Sequence, residues 1–458
     1  MDSQTSAQRS AVVLGGSVAG LLAAHMLARH FDRVIIIERD HVAEFGAPRK
    51  GVPQGRILHG LLAGGRRALE NMFPRFSEGL AAYGALDVDI GTSGDFYVGG
   101  RKLPEQETDL RCHSVSRPLL ESYIRERVLA DSRISVRQRW VGQKLVGDRH
   151  RVTGVHIAHA DTGQTETLHA DLVMDASGRG SQLPAWLQQL GAAAPAEERV
   201  RVDISYSSCF VRRRPGDLGG KQTFIINPHP TSRRAAAALA QEGDRFILAF
   251  TGYLDEPVPT TPSEAIAFAR SLPTPELYEL LRDAEFLSEL SKLRLVASQR
   301  RRYERLSELP RGLLVCGDAL CCFNPAYGQG MTVAALEAQA LHDCLQAGEA
   351  QLGARYFRQV AKLIDVPWSI VVGGDFAFDG VEGKRPRGWR ITNAYMSKLQ
   401  AVAAEDREVS YAFLRVIHLV APPSLLLSPR ILWRVLKPRP VRRPREREPL
   451  LDAAERVL

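Results

Sequence analysis

Residues 11 to 40, AVVLGGSVAGLLAAHMLARHFDRVIIIERD, constrain this chain more than any other stretch. AVVL is a short apolar run of the kind buried in a parallel sheet. GGSVAG then turns the chain, and LLAAHMLARH repeats apolar residues at helical spacing before VIIIE gives a second buried strand ending at Glu38. Strand, glycine turn, helix and strand together form the unit that binds a dinucleotide. Its pyrophosphate rests on backbone N–H groups at the helix start, where the helix dipole favours an anion. Gly15 serves the tight turn, and Gly20 lets helix and strand pack closely. Ser17 stands where the strict pattern has its second glycine, and it is small enough for close approach. Glu38, eighteen residues after Gly20, is placed at the ribose hydroxyls. Gly16, Ala19 and Arg39 complete the cofactor-binding set expected of this segment.

The fingerprint alone does not choose between FAD and a nicotinamide. DLVMDASGRGS (171 to 181) gives an apolar strand ending at Asp175, and GLLVCGD (312 to 318) gives another ending at Gly317-Asp318. TVAALEAQALHDCL (332 to 345) then has helical spacing. Three such strand ends, spread over more than three hundred residues, suit one long, extended cofactor. The expected fold class is α/β (α+β overall), and the family resemblance these motifs carry implies its arrangement: a Rossmann-type FAD-binding domain, an interleaved antiparallel sheet for substrate, and a helical C-terminal region. Expected domain ranges are 1–75, 101–195 and 296–355 for FAD, 76–100 and 196–295 for substrate, and 356–458 for the helical region with its basic tail.

With these motifs in place, the sequence resembles the single-component flavoprotein monooxygenases of the para-hydroxybenzoate hydroxylase fold. Gly317-Asp318 matches their Gly-Asp motif, which implies contact with the FAD ribose and pyrophosphate region. Arg117, leading SRPLLESYI, corresponds to the family's arginine near FAD. Their Asp-Gly motif is altered here to Asp175-Ala-Ser-Gly178, which leaves a nicotinamide role for that segment open. RKGVPQGRILHGLLAGGRRALE (49 to 70), DASGRGS and FNPAYGQGM are similar to squalene-epoxidase-like enzymes, especially the actinomycete epoxidases that prepare polyenes for polyether cyclisation. The likeness covers about the first 350 residues in pieces.

The resemblance implies that NAD(P)H, a transient co-substrate, reduces FAD and that O2 then adds to give a C4a-hydroperoxide. Its distal oxygen passes to an electron-rich alkene or arene of a lipophilic polyene, isoprenoid or polyketide. No protein nucleophile is needed. The protein's part is to stabilise negative charge on the reduced flavin. In NPAYGQGM, Pro325, Gly328 and Gly330 let backbone N–H groups face the ring, and a helix N-terminus adds about half a positive charge. Met331 belongs to the same cofactor set. Gln54 and Arg56 are candidates for the flavin edge or entry channel, with a surface role for Arg56 equally open, and His59 reads as structural. Two alternatives stand: a same-fold flavin oxidoreductase without oxygen transfer, such as a prenyl reductase or dehydrogenase, and a non-catalytic prenyl-binding protein. No second glycine fingerprint follows a strand, which argues against flavoenzymes holding NADPH in its own Rossmann domain. All five tryptophans are isolated, unlike the paired signature of flavin halogenases.

VRVDISYSSCFVRR, KQTFIINP and DRFILAFTGYL alternate apolar and polar residues as half-exposed strands do. Their inward face would offer Ile204, Tyr206, Phe224, Ile226, Phe246 and Phe250, with Tyr206, Phe224 and Phe250 as substrate contacts and the others as core. Six cysteines show no C-x-x-C spacing; the adjacent Cys321 and Cys322 read as apolar fillers, and no metal is expected. Net charge is +8, much of it in KPRPVRRPRER (437 to 447). With no recognisable reader module, nucleic acid is not an expected partner. That run is either a solvated tail or a contact for an anionic membrane surface or acidic partner. SLLLSPRILWRVL, just before it, is either a capping helix or an interfacial anchor. No secretory core and no eighteen-residue apolar run occur, so the expected location is cytoplasmic, with a peripheral membrane contact left open.

Overall fold

The computed structural model describes residues 8–42, 44–49 and 53–438. Five parallel strands form the first sheet, in the order Leu313–Val315, Leu172–Asp175, Ser10–Leu14, Arg33–Glu38 and Ile134–Gln138. The four strands from Leu313 to Glu38 are continuous runs of Val, Ile, Leu and Met rather than alternating ones, because helices cover both faces of a parallel sheet. Helix Val18–Leu27 crosses between the first two strands and is buried almost all round. Helix Gly330–Gln346 packs beside it. The predicted strand–turn–helix–strand unit is present, with the helix starting at Val18, inside the expected turn, and ending at Leu27.

A second, larger sheet is mostly antiparallel. Its order is Cys321–Cys322, Ser291–Arg301, Glu197–Arg212, Arg245–Tyr253, Arg234–Gln241, Thr223–Ile226, Gly94–Val98 and Arg101–Lys102. Thr223–Ile226 and Gly94–Val98 pair in parallel, so the sheet is mixed. The strand Ser291–Arg301 runs through the expected 295/296 boundary. Arg234–Gln241, RAAAALAQ, has a helix former's composition, yet it is paired on both sides in the middle of the sheet. Two ladders of hydrogen bonds override propensity.

Helices Pro262–Arg270 and Glu276–Leu281 cover one face of this sheet and bury Cys209, Val211, Phe224, Ile226, Phe246 and Phe250 against Phe268 and Leu277. Phe250 meets Phe268 edge to face at 5.4 Å between centroids. Phe224 and Phe250 are therefore core residues and not substrate contacts, against expectation. The reason is register: Ser207 pairs with Phe250, whereas Tyr206 pairs with Thr251, so Tyr206 points to the opposite face. Alternation fixes which residues share a side within one strand; only pairing fixes the phase between strands.

The C-terminal part begins as one helix, Leu352–Asp375, with Pro367 inside it. Helices Trp389–Ala403, Arg407–Ile417 and Pro429–Leu436 follow, sharing a core of Leu399, Val402, Val409, Phe413 and Val435 with Phe96 and Val98 of the large sheet. Asp406 caps the second of these helices by accepting from the Glu408 and Val409 N–H groups.

Candidate functional site: the carboxyl edge of the parallel sheet

Pairing of Leu14 with Ile37 and Asp175, and of Asp175 with Val315, brings the predicted strand ends side by side. This is the edge where open α/β sheets hold their ligands. Gly15 has φ of +106°, and a Cβ there would lie 2.4 Å from the Ala176 carbonyl oxygen. A Cβ on Gly317 (φ +61°) would lie 2.7 Å from Ala19 Cβ, and one on Gly20 only 1.8 Å from the Gly15 carbonyl oxygen. The Gly15 turn thus meets the Ala176 backbone, and the Gly317 turn meets Ala19, at distances a side chain on either glycine would not allow.

Ser17 has a polar role beyond its size. Its hydroxyl donates to Glu121 Oε2 (2.9 Å) and accepts from Arg117 Nη2 (2.9 Å). Glu121 is the hub of a buried charge cluster. Arg49 Nε donates to its Oε1 at 2.8 Å, Arg125 Nη2 at 2.8 Å, and Arg117 Nη2 reaches Oε2 at 3.1 Å. Arg49 also pairs with Glu38 Oε2 at 2.9 Å. Burial pushes the Glu121 carboxyl up, but the three guanidiniums outweigh it and hold it at about 2. The three arginines meet Glu121, Glu38 and, at 3.9 Å from Arg49, Asp40 beside the helix start, and Arg117 Nε is buried without a partner among the described residues. Sequence reading found Arg117 and missed Arg49, Glu121 and Arg125. Arg117, Glu121 and Arg125 follow one another at four-residue spacing in helix Arg117–Leu129, a stripe visible in the sequence. Arg49 carries no such signal.

Glu38 lies at the predicted end of its strand, and both oxygens are engaged, Oε2 by the Gly16 N–H and Arg49 and Oε1 by the Asp40 N–H. Arg39 is exposed. Asp175 is buried with its carboxylate accepting from the Ser177 N–H (2.9 Å), Ser177 Oγ (2.6 Å) and Ser181 Oγ. It braces the DASGRGS turn through its own hydroxyls, as Asx turns do. Asp318 faces Arg179 and Arg117; burial raises its carboxyl against their pull. The preceding Gly317 N–H donates to Glu337 Oε2 at 2.7 Å.

The NPAYGQGM segment forms a short 3-10 turn, Pro325–Tyr327, then Gly328 at φ +65°, then the helix starting at Gly330. A Cβ on Gly330 would meet nothing within 4 Å, and one on Gly328 only Leu62 Cδ2 at 3.9 Å. Both glycines border open space. The first-turn N–H groups of the helix, including those of Gly330 and Met331, have no intrahelical acceptor. Met331's side chain is buried in the core built around the parallel sheet. Tyr206 donates to Asn324 Oδ1 at 2.6 Å and accepts from the Ala326 N–H, so it braces this turn from the sheet.

Arg56 ends the 3-10 turn Pro53–Arg56 and is exposed; the side chain of Gln54 lies outside the described residues. The chain then crosses the large sheet, where the Leu58 N–H reaches Ser208 Oγ at 3.4 Å. His59 bonds the Ile57 carbonyl oxygen, and burial followed by the nearby Arg117 lowers its pKa to about 4, so it is neutral. Cys321 and Cys322 pair with Arg300 and Gln299 as an edge strand. Burial pushes the Cys322 thiol up to about 12, far from a reactive thiolate. Among the described residues no group of three or more His, Cys, Asp or Glu is placed to hold a metal.

A model described as an FAD binding domain matches residues 8–351. The chain belongs to that flavoprotein family. The flavoprotein is 32% identical over 443 residues to Protein Rv3254 of Mycobacterium tuberculosis (strain ATCC 25618 / H37Rv), covering 93% of each chain. Among solved structures it is similar to p-nitrophenol 4-monooxygenase PnpA from Pseudomonas putida DLL-E4, with a TM-score of 0.65, 15% identity, and 91% of this chain and 99% of that one covered. It is also similar to the flavin-dependent brominase Bmp2, with a TM-score of 0.63, 15% identity, and coverage of 89% and 92%. The fold is that of para-hydroxybenzoate hydroxylase-type flavoproteins, and the cofactor is FAD. The residues fit it: close-packed glycines for the pyrophosphate, an unpartnered buried Arg117 Nε, an acidic second strand end, and open space at Gly328 and Gly330.

Proposed function

We propose that this flavoprotein is an NAD(P)H- and O2-dependent monooxygenase that epoxidises, or else hydroxylates, a lipophilic polyene, isoprenoid or polyketide. One observation carries the substrate class. On the face of the large sheet shared by Tyr206 and Ser208, the residues Ala235, Leu239, Ile247 and Ala249 are buried yet belong to none of the three packed cores. They are apolar and small for the most part, and the polar groups beside them are the hydroxyls of Ser208 and Thr251. The cations that share this face by register, Arg212 and Arg245, stand at its far end, where Arg245 lies over the Phe210 ring and pairs with Glu242 at 2.7 Å, so the stretch around Ala235, Leu239, Ile247 and Ala249 is apolar. A neutral, extended apolar substrate matches it.

Bound FAD would supply the electron transfer and oxygen activation, chemistry no side chain here performs. The chain's own work is positional. Arg49, Arg117 and Arg125 offer positive charge to the pyrophosphate. The N–H groups at Gly330 and Met331, backed by the helix dipole, offer donors where negative charge gathers on the cofactor. The apolar wall would keep water away from a bound substrate.

The test is incubation of the purified enzyme with NAD(P)H, labelled O2 and candidate polyenes. Label in an epoxide or alcohol is the expected result. Substrate-stimulated turnover giving unlabelled product overturns oxygen transfer in favour of a reductase or dehydrogenase. A protein that neither binds FAD nor oxidises NAD(P)H overturns the enzyme reading.

The same reading extends to a membrane. Leu427, Trp433 and Leu436 are exposed at the C-terminal end, Trp433 by 64%. They immediately precede the basic run, whose residues from 439 onward lie outside the described residues. Apolar anchors beside a cationic segment suit an anionic lipid surface, the natural source of a lipophilic substrate.

A further inference from the structure

Asp375 ends the helix Leu352–Asp375, is 0% exposed, and takes no part in the chemistry above. Its Oδ1 accepts from Asn324 Nδ2 at 2.9 Å and from the Tyr327 hydroxyl at 3.4 Å, and its Oδ2 has no partner among the described residues. Asn324 opens the turn that carries Gly328 and Gly330. Its second amide hydrogen goes to Tyr253 Oη at 2.8 Å, and its Oδ1 accepts from Tyr206 Oη and the Ala326 N–H at 3.0 Å. A backbone N–H can only donate, so the Ala326 bond fixes which end of the amide is oxygen and turns the NH2 toward Asp375. Tyr327 is equally confined: a Cβ on Gly374 would lie 2.1 Å from its hydroxyl, so the helix end and the turn fit only through that glycine.

The titratable groups facing Asp375 are Tyr206 and Tyr253 from two strands and Tyr327 from the turn. Burial raises all three phenols well above their ordinary value, so they stay neutral. From helix Trp389–Ala403 the neutral Asn393 comes within 4.0 Å of where a Cβ on Gly373 would lie. Burial pushes the Asp375 carboxyl up to about 7 against the pull of Asn324 and Tyr327.

We propose that Asp375 is a positioning residue of the flavin seat: through Asn324 and Tyr327 it holds the turn that bears Gly328 and Gly330, and it ties FAD affinity to the proton on its own carboxyl. The proposal rests on the FAD-binding reading. In the ionised form both oxygens are acceptors, and the bonds from Asn324 and Tyr327 are charge-assisted. In the protonated form one oxygen becomes a donor with no acceptor in reach, and the turn loosens. The proton leaves to solvent on ionisation and returns from it on acidification.

The experiment is titration of the full-length apoprotein with FAD between about pH 6 and pH 8, followed by flavin fluorescence, for wild type, Asp375→Asn and Asp375→Ala. Charge-assisted bonds are about twice as strong as neutral ones, so wild-type affinity is expected to rise roughly fivefold across that range. Asp375→Asn keeps an acceptor for Asn324 but does not titrate, and its profile is expected to lose this rise. Glu337, under Gly317, is a second buried carboxyl, raised to about 8, and accounts for any slope that survives. Asp375→Ala is expected to bind FAD on the order of tenfold or more weakly at every pH. If Asp375→Ala does not fold, the Asn profile alone decides. An Asn profile that superimposes on wild type, or an Ala variant that binds equally well, overturns the role of Asp375 and leaves FAD binding standing. A wild type that binds no FAD overturns both.

Discussion

Glu121 shows how one side chain organises a site. Its carboxyl is held at about 2, below the usual 4.5, so the folded state binds its proton less tightly than the unfolded chain. Stability from this group is therefore present above the unfolded value and lost as pH falls toward 2. A shift of that size is worth about 3 kcal/mol. Urea unfolding of wild type and Glu121→Gln should differ by roughly that amount at pH 7, with the gap closing as acid is added; parallel curves would sink the assignment. Asp375 has the opposite sign. Its raised pKa makes its contribution complete below the ordinary carboxylate value and lost as pH rises through about 7. Melting of the apoprotein at pH 8 should accordingly favour Asp375→Asn over wild type more than melting at pH 5 does.

At the scale of elements, two glycines in equivalent roles have opposite surroundings. Gly20→Ala puts a methyl 1.8 Å from a backbone oxygen and must push helix Val18–Leu27 off the first strand. Gly330→Ala meets nothing. The first is expected to be expressed unfolded or free of flavin. The second should melt within about 1 kcal/mol of wild type while binding FAD more weakly, because its methyl enters the flavin seat. Absorbance of the purified variants against their melting temperatures separates these outcomes, and a yellow, stable Gly20→Ala would refute the packing argument. Neighbours in the strand Arg245–Tyr253 divide in the same way. Phe250→Ala should cost about 3–5 kcal/mol of stability, as for a large buried side chain, with little change in substrate affinity. Ala249→Leu, on the opposite face, should raise KM while leaving the melt nearly unchanged.

At the scale of the molecule, the C-terminal helices bury one side against the large sheet and leave Leu427, Trp433 and Leu436 outside. No helix of the described residues is long and apolar enough to cross a membrane. Sedimentation with vesicles should show binding to anionic but not zwitterionic lipid, reversed by high salt and weakened by Trp433→Ala. Equal recovery with both lipids would remove the membrane from the proposal.

The sequence by itself determined the elements whose signals are local: the glycine turn and its two strands, the strand end at Asp175, the strand leading to Gly317-Asp318, the arginine at the head of helix Arg117–Leu129, and the turn carrying Gly328 and Gly330. Each is set by propensity, spacing or a demand on φ that neighbouring residues reveal. Only the tertiary structure decided the rest. It put Phe224 and Phe250 in the core, because the phase between strands depends on which residues pair. It drew Arg49 to Glu38 and Glu121, and Asp375 to Asn324 fifty-one residues away in the chain. Charges and amides find partners through space, and a buried group's need for a partner is met by the fold, with nothing in its own neighbourhood of the sequence to announce it.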